Sequence, residues 1–88
     1  MFNYRTWRKT PVVIKLTRSD PRQNMHRFYA LQLTATLFGE WALMAEWGRI
    51  GSAGRLQERV FPSRELAQAA LGRRQSAKMR RGYRLAGP

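Results

Sequence analysis

The chain has 88 residues, of which 43% are hydrophobic and none is cysteine. A chain of this length builds one modest core, which excludes a two-domain enzyme with an enclosed cleft. The lack of cysteine excludes disulfides and thiolate zinc sites. Seventeen Lys and Arg stand against five acids, which gives a net charge of +12. So large a charge of one sign is typical of a protein whose partner is an anion, with nucleic acid ahead of an anionic membrane surface.

The composition changes near residue 12. Residues 1–11 mix basic and aromatic side chains without a period, so we predict an N-terminal arm there and a single folded domain over residues 12–85. The first ten residues lack the apolar segment of a secretory signal. The longest apolar run, residues 41–45, is far short of the ~20 residues that span a bilayer. We therefore predict a cytoplasmic protein, nucleoid-associated in a bacterial cell, with no membrane partner.

Alternation of apolar and polar residues with a period of two predicts four β-strands. They are expected over residues 12–17, 27–37, 41–47 and 55–61. Turn residues separate the strands at 19–24 and at 38–40, where Gly39 is expected to adopt a positive φ. Three glycines predict a loop over residues 48–54. Connections this short require antiparallel pairing of successive strands.

After Pro62 the period changes from two to that of a helix. Ser63 is a suitable N-cap and Gly82 a suitable residue to end the helix, so we predict a helix over residues 63–81. Gly72 is expected to kink the helix or make it irregular. The predicted apolar stripe consists of Leu66, Ala69, Ala70 and Ala77.

The fold class follows from these elements. One helix can cover one face of a four-stranded meander, and residues 83–85 are a candidate fifth strand. We therefore predict an α+β fold, a twisted antiparallel sheet of four or five strands with one helix packed on one face.

The most informative segment is the triplet Trp47-Gly48-Arg49 at the end of the third predicted strand. An aromatic ring can pack on a sugar or base, a glycine lets a backbone come close, and an arginine fork can grip a phosphate. Trp47 is also in phase with Trp41 and Leu43, which fits a place in the core. The sequence therefore leaves open whether the Trp47 ring contacts a nucleic acid or packs in the core.

Further residues shared with one family extend from Asn24 to Tyr83, about sixty residues. They are Phe28–Leu33 before the triplet, Trp47–Gly51 and Gly54, Phe61, Ser63, Glu65 and Ala67 at the helix start, and Lys78 with Arg81–Tyr83. In this set the chain resembles the WGR domain, known from DNA-dependent poly(ADP-ribose) polymerases and from small bacterial proteins. The resemblance implies a sheet with a covering helix. It also implies that Trp47 packs against the terminal sugar of a DNA strand and that Arg49 engages a nearby backbone phosphate.

The second half of the predicted helix is strongly basic. Within residues 73–84 there are six cations and no acid, so phosphate contact is favoured over a merely solvated face. The predicted nucleic-acid-binding residues are therefore Trp47, Gly48, Arg49, Arg73, Arg74, Lys78, Arg80 and Arg81.

No pattern in the sequence indicates catalysis. The acids are scattered, and there is no nucleophile, metal-ligand or cofactor motif. We predict a non-catalytic protein without metal, cofactor or small-molecule substrate, whose function is to bind the DNA backbone at ends or nicks. Two alternatives stay open, an adaptor for another, acidic protein and a binder of structured RNA.

Overall fold

Five antiparallel strands form one open sheet in the computed structural model, which describes residues 12–86. The elements are β1 (Val12–Asp20), β2 (Met25–Ala35), β3 (Trp41–Arg49), β4 (Arg55–Phe61), α1 (Arg64–Arg80) and β5 (Arg84–Leu85). The strand order across the sheet is β4-β3-β2-β1-β5. The predicted α+β fold class is confirmed, including the short fifth strand. The predicted arm, residues 1–11, lies outside the described residues.

The turn between β1 and β2 is shorter than the one predicted over residues 19–24, because both strands extend further toward it. β1 continues to Asp20, two residues into that segment, and β2 begins at Met25, two residues before its predicted start. A 3₁₀ turn of three residues closes the hairpin, and the Asp20 carboxylate accepts a hydrogen bond from the N–H of Arg22 at 3.1 Å. Asn24 follows with φ of 51°, a left-handed conformation that asparagine tolerates better than most residues.

β2 ends two residues earlier than predicted. The hydroxyl of Thr36 accepts hydrogen bonds from the N–H groups of Phe38 and Glu40, both at 3.2 Å, and this starts the turn. Leu37, predicted on the apolar face of the strand, lies in the turn instead and is 85% exposed. Gly39 has the expected positive φ, 81°.

β3 ends two residues later than predicted. The sequence places Gly48 and Arg49 in a loop, but in the structure they pair with Phe28 and Arg27 of β2. The loop is therefore confined to residues 50–54. The triplet Trp47-Gly48-Arg49 lies within the sheet, where strand pairing fixes its backbone.

Helix α1 packs against β2, β3 and β4. Its capping residues are those the sequence predicts. The hydroxyl of Ser63 accepts a hydrogen bond from the N–H of Leu66 at 3.2 Å, and Gly82, with φ of 98°, ends the helix just after Arg81. The helix is continuous through Gly72, so the irregularity expected there is absent, and a kink at this residue stays a prediction.

The buried stripe of α1 differs from the predicted one. The buried residues are Ala67, Ala70 and Leu71. Leu66 is 51% exposed and Ala69 faces solvent, although both were expected to face the sheet. At helical spacing the stripe continues through Arg74 and Lys78, whose side chains contact the sheet. The prediction fails because the stripe changes from apolar to basic along the helix, and hydrophobicity alone does not reveal such a stripe.

The core lies between α1 and the sheet. Its buried members are Leu16, Tyr29, Leu31, Leu33, Leu43, Ala45, Ala67, Ala70, Leu71 and Tyr83. Residues 29–34 of β2 are all buried, so this central strand is covered on both faces. Within the described residues, no helix has the length and apolar character needed to cross a membrane.

The site of Gly72 gives a test of helix continuity. A Cβ added there would meet no atom within 4 Å, and alanine is better than glycine in a helix interior by about 0.5–1 kcal/mol. We expect Gly72→Ala to raise the free energy of unfolding by about that amount and Tm by several degrees, measured by circular dichroism. A lower Tm would contradict a regular helix at this position.

Candidate nucleic-acid interface

A cleft of about 490 Å³ opens where the end of β3 approaches the C-terminal half of α1. It is lined by Arg27, Tyr29, Trp47, Gly48, Arg49, Lys78 and Tyr83. These described lining residues include three cations and three aromatic rings but no acid. We call this feature the Trp-Gly-Arg cleft. Its composition suits an anion that has a flat or apolar part beside it.

Three aromatic rings form the floor of the cleft. Trp47 lies opposite Tyr29 on the neighbouring strand, and their rings stack with centroids 5.8 Å apart and planes at 19°. Tyr83 meets Tyr29 edge to face at 6.3 Å. Tyr29 and Tyr83 are buried, whereas Trp47 is half-buried. The Trp47 ring therefore packs against the core and also lines the cleft, and its contact with a sugar or base stays a prediction.

Lys78 approaches the same rings from α1. Its Nζ lies 4.7 Å from the ring centroid of Tyr29 and 5.7 Å from that of Tyr83. Partial burial lowers the pKa of the Lys78 ammonium below its ordinary value, and the positive charges of three neighbouring arginines lower it further. These arginines are Arg81, Arg74 and Arg27. The cleft therefore holds several positive charges close together although they repel one another.

Arg27 and Arg49 add to this concentration of charge. They are directly opposite each other on β2 and β3, and like charges at such a pair are unfavourable. A guanidinium nitrogen of Arg49 donates to the carbonyl oxygen of Asn24 at 3.0 Å, and the other terminal nitrogen donates to the Asn24 side-chain oxygen at 3.4 Å. A guanidinium has five N–H donors, so donors remain for an external anion. Asn24 therefore orients Arg49 at the rim of the cleft.

Gly48 has a role inside the protein. Trp47 and Arg49 point to the face that α1 covers, so a side chain at Gly48 would point to the other face, as that of its partner Phe28 does. A Cβ there would lie 3.0 Å from Cα of Gly54 and 3.4 Å from the Phe28 ring. The lack of a side chain lets the β3–β4 hairpin close over Phe28. Close approach of a nucleic acid at Gly48 stays a prediction.

A second groove, of about 360 Å³, runs along α1 and shares Tyr29 and Lys78 with the cleft. Its lining is Tyr29, Arg73, Arg74, Ala77, Lys78 and Arg81. Arg74 donates one hydrogen bond to the hydroxyl of Tyr29 at 2.9 Å and another to Oε1 of Gln57 at 2.7 Å. These bonds fix the Arg74 guanidinium against the sheet. We call this feature the helix groove.

The two grooves contain seven of the eight binding residues predicted from the sequence. Arg80 is exposed and lines neither groove. The binding residues predicted from the sequence do not include Arg27, Tyr29 or Tyr83. The strand register brings Arg27 and Tyr29 beside the triplet, and this register is not readable from alternation alone. Tyr29 and Tyr83 did carry a signal, since both belong to the segments on which the family resemblance rests.

Gly54 offers a test of the packing beneath the triplet. A Cβ at Gly54 would lie 2.6 Å from the carbonyl oxygen of Trp47 and 2.8 Å from the Phe28 ring, so the hairpin would have to shift. We expect Gly54→Ala to lower the free energy of unfolding by about 1–3 kcal/mol, measured by urea denaturation. Gly72→Ala is the matched control, because it adds the same methyl group in open space. Equal stability of the Gly54 variant and the parent would refute this close packing.

The chain matches the WGR domain over residues 13–88. It is 36% identical over 74 residues to the uncharacterized protein y4dW of Sinorhizobium fredii (strain NBRC 101917 / NGR234), an alignment that covers 84% of this chain and 36% of that protein. The chain thus spans little more than a third of the length of this curated relative. WGR domains are generally non-catalytic nucleic-acid-binding modules. With the match extending over nearly all of the described fold and including the Trp-Gly-Arg triplet, the chain belongs to the WGR domain family.

Proposed function

We propose that this protein binds the phosphodiester backbone of DNA at ends or nicks and catalyses no reaction as part of that function. The observation that carries the proposal is the convergence of Arg27, Arg49 and Lys78 on an aromatic floor, with no acid among the described lining residues. Arg27 repels both Arg49 and Lys78, so a bound phosphate offsets an unfavourable interaction as well as adding a favourable one.

The aromatic floor favours an interrupted strand over a continuous duplex. In a continuous duplex the faces of the bases are covered by stacking, so the Trp47 ring has no free surface to pack against. At an end or a nick, the terminal nucleotide offers an uncovered base or sugar. The half-buried Trp47 ring lies on the same face of β3 as Arg49, two residues away. Ring and guanidinium can therefore engage adjoining sugar and phosphate groups.

The helix groove supports a longer contact along the backbone. Arg73 on α1 and Arg81 just after its last residue are exposed, and both line this groove with Lys78. Cations along one groove can neutralise successive phosphates, which makes affinity strongly dependent on salt but independent of base sequence. Because Arg74 is hydrogen-bonded within the protein, we assign it the role of holding positive charge at the junction of the two grooves.

Arg49 tests the cleft as the binding site. We expect Arg49→Ala to weaken binding to nicked duplex DNA by about 1.5–3 kcal/mol, roughly 10- to 150-fold in Kd, because a charge-assisted contact is lost. Stability should change little, since the hydrogen bonds from Arg49 to Asn24 are exposed. Fluorescence anisotropy with nicked, blunt-ended and closed-circular DNA measures the first effect, and thermal denaturation measures the second.

Arg59→Ala is the matched control for charge. Arg59 is exposed on β4 and pairs with Leu43 of β3. Leu43 lies six residues before Arg49, which at 3.3 Å per residue separates the two positions by about 20 Å along the strand. The Arg59→Ala substitution removes the same charge far from the cleft, so its effect on Kd should be small. Equal losses in the two variants would assign binding to net charge alone. Tighter binding to a matched RNA hairpin, or to an acidic protein, than to any DNA would reject DNA as the partner.

The helix groove is tested by the dependence of affinity on salt. Each phosphate that the protein neutralises contributes about −0.9 to the slope of log K against log salt concentration. Since Arg81 lines the groove and its neighbour Arg80 does not, we expect Arg81→Ala to make the slope less negative by about one and Arg80→Ala to change it less. Anisotropy titrations at several salt concentrations give both slopes. Identical slopes for the parent and Arg81→Ala would exclude the groove from the contact.

A further inference from the structure

Lysine is rare in this chain, and one lysine occupies the cleft. Of the seventeen cations, fourteen are arginine, and the three lysines are Lys9, Lys15 and Lys78. Every other cation that lines the cleft or the helix groove is an arginine. Arginine stays charged and is chemically inert, whereas a lysine amine becomes a nucleophile once it loses its proton. Lys78 is thus the one reactive amine among the described lining residues.

The surroundings of Lys78 make its ammonium easier to deprotonate than that of an ordinary lysine. Partial burial and the charges of Arg81, Arg74 and Arg27 lower the pKa of this group. The rings of Tyr29 and Tyr83 act in the opposite direction, because an ammonium is attracted to a ring face. Lysines whose pKa is lowered by nearby cations form Schiff bases with carbonyl compounds.

We propose that Lys78 captures the aldehyde of an abasic site in DNA as a Schiff base, an inference that rests on the proposed binding of the DNA backbone. The neutral Nζ adds to C1′ of the ring-opened deoxyribose and forms a carbinolamine. A new C1′–N bond becomes the C=N bond of the imine, and the aldehyde oxygen leaves as water with the two protons of the amine. The step consumes no oxidant, reductant or further co-reactant.

An abasic nucleotide fits the geometry of the cleft better than an intact one. Without its base the nucleotide is small and leaves the helical stack at little cost, so the sugar can enter a space of about 490 Å³. Phosphates lie on both sides of such a sugar. Arg27 and Arg49 line the cleft with Lys78, and Arg81 lines the adjoining helix groove, so a cation is available for each phosphate. The half-buried Trp47 ring can cover the base pair exposed beside the gap.

Borohydride trapping tests this inference. The full chain is mixed with a nicked duplex carrying one abasic site next to the nick, and sodium borohydride reduces the imine to a stable secondary amine. We expect a covalent protein–DNA adduct whose proteolytic fragment places the modification on Lys78. The same duplex with the aldehyde first reduced to the alcohol should give no adduct, although it keeps the same phosphates.

Two lysine variants complete the experiment. Lys15→Arg is the control, since Lys15 is exposed on the sheet face opposite to α1, and its adduct yield should equal that of the parent. Lys78→Arg should lose the adduct at protein concentrations that saturate the DNA, with saturation established for each variant by anisotropy. Unchanged trapping by Lys78→Arg, or an adduct at Lys9, Lys15 or the N-terminal amine alone, would overturn the inference.

The same titrations separate this inference from the proposed function. Tight binding to nicked DNA with no adduct overturns capture by Lys78 and leaves the proposed function intact. Failure of the parent chain to bind any of the DNA probes overturns both.

Discussion

The ring of Tyr29 is the point through which the core and the cleft are joined. It is 3% exposed, and it stacks on Trp47, meets Tyr83 edge to face and lies beneath Nζ of Lys78. Its hydroxyl accepts a hydrogen bond from Arg74. The basic end of the buried helix stripe depends on this residue, because cations facing an apolar sheet without partners would be costly. Tyrosine supplies a ring face for one cation and an acceptor oxygen for the other.

The charge at this end of the molecule is a cost to the free protein. Arg27 and Arg49 are directly opposed, and three arginines disfavour protonation of Lys78. A structure optimised for stability alone would replace one of these cations with a neutral or acidic side chain. Repulsion of this kind is relieved when an anion binds, so the unfavourable energy in the free state increases the preference for the bound state. The aromatic floor and the backbone pairing of the triplet keep the cations in place despite their repulsion.

The sequence predicted the secondary-structure elements better than it predicted which residues lie next to one another in the folded structure. Alternation predicted β4 over residues 55–61 and capping signals predicted both ends of α1, because these features depend on local residues. The extra pairing of Gly48 and Arg49 depends on the β2–β3 register, and glycines near a strand end otherwise indicate a loop. The stripe through Arg74 and Lys78 was missed, since the residues that they contact on β2 and β4 are distant from them in the sequence. For the same reason Arg27 was absent from the predicted site, although the triplet itself was found.

The Trp-Gly-Arg triplet places three different requirements on three consecutive positions. Trp47 must reach Tyr29 on the helix side, and Gly48 must leave room for Phe28 and Gly54 on the opposite side. Arg49 returns to the helix side and is held by Asn24 at the tip of the β1–β2 hairpin. A loop would leave the directions of these side chains variable, whereas a paired strand alternates them between faces. The ring and the guanidinium therefore face one cleft only because the glycine between them belongs to the sheet.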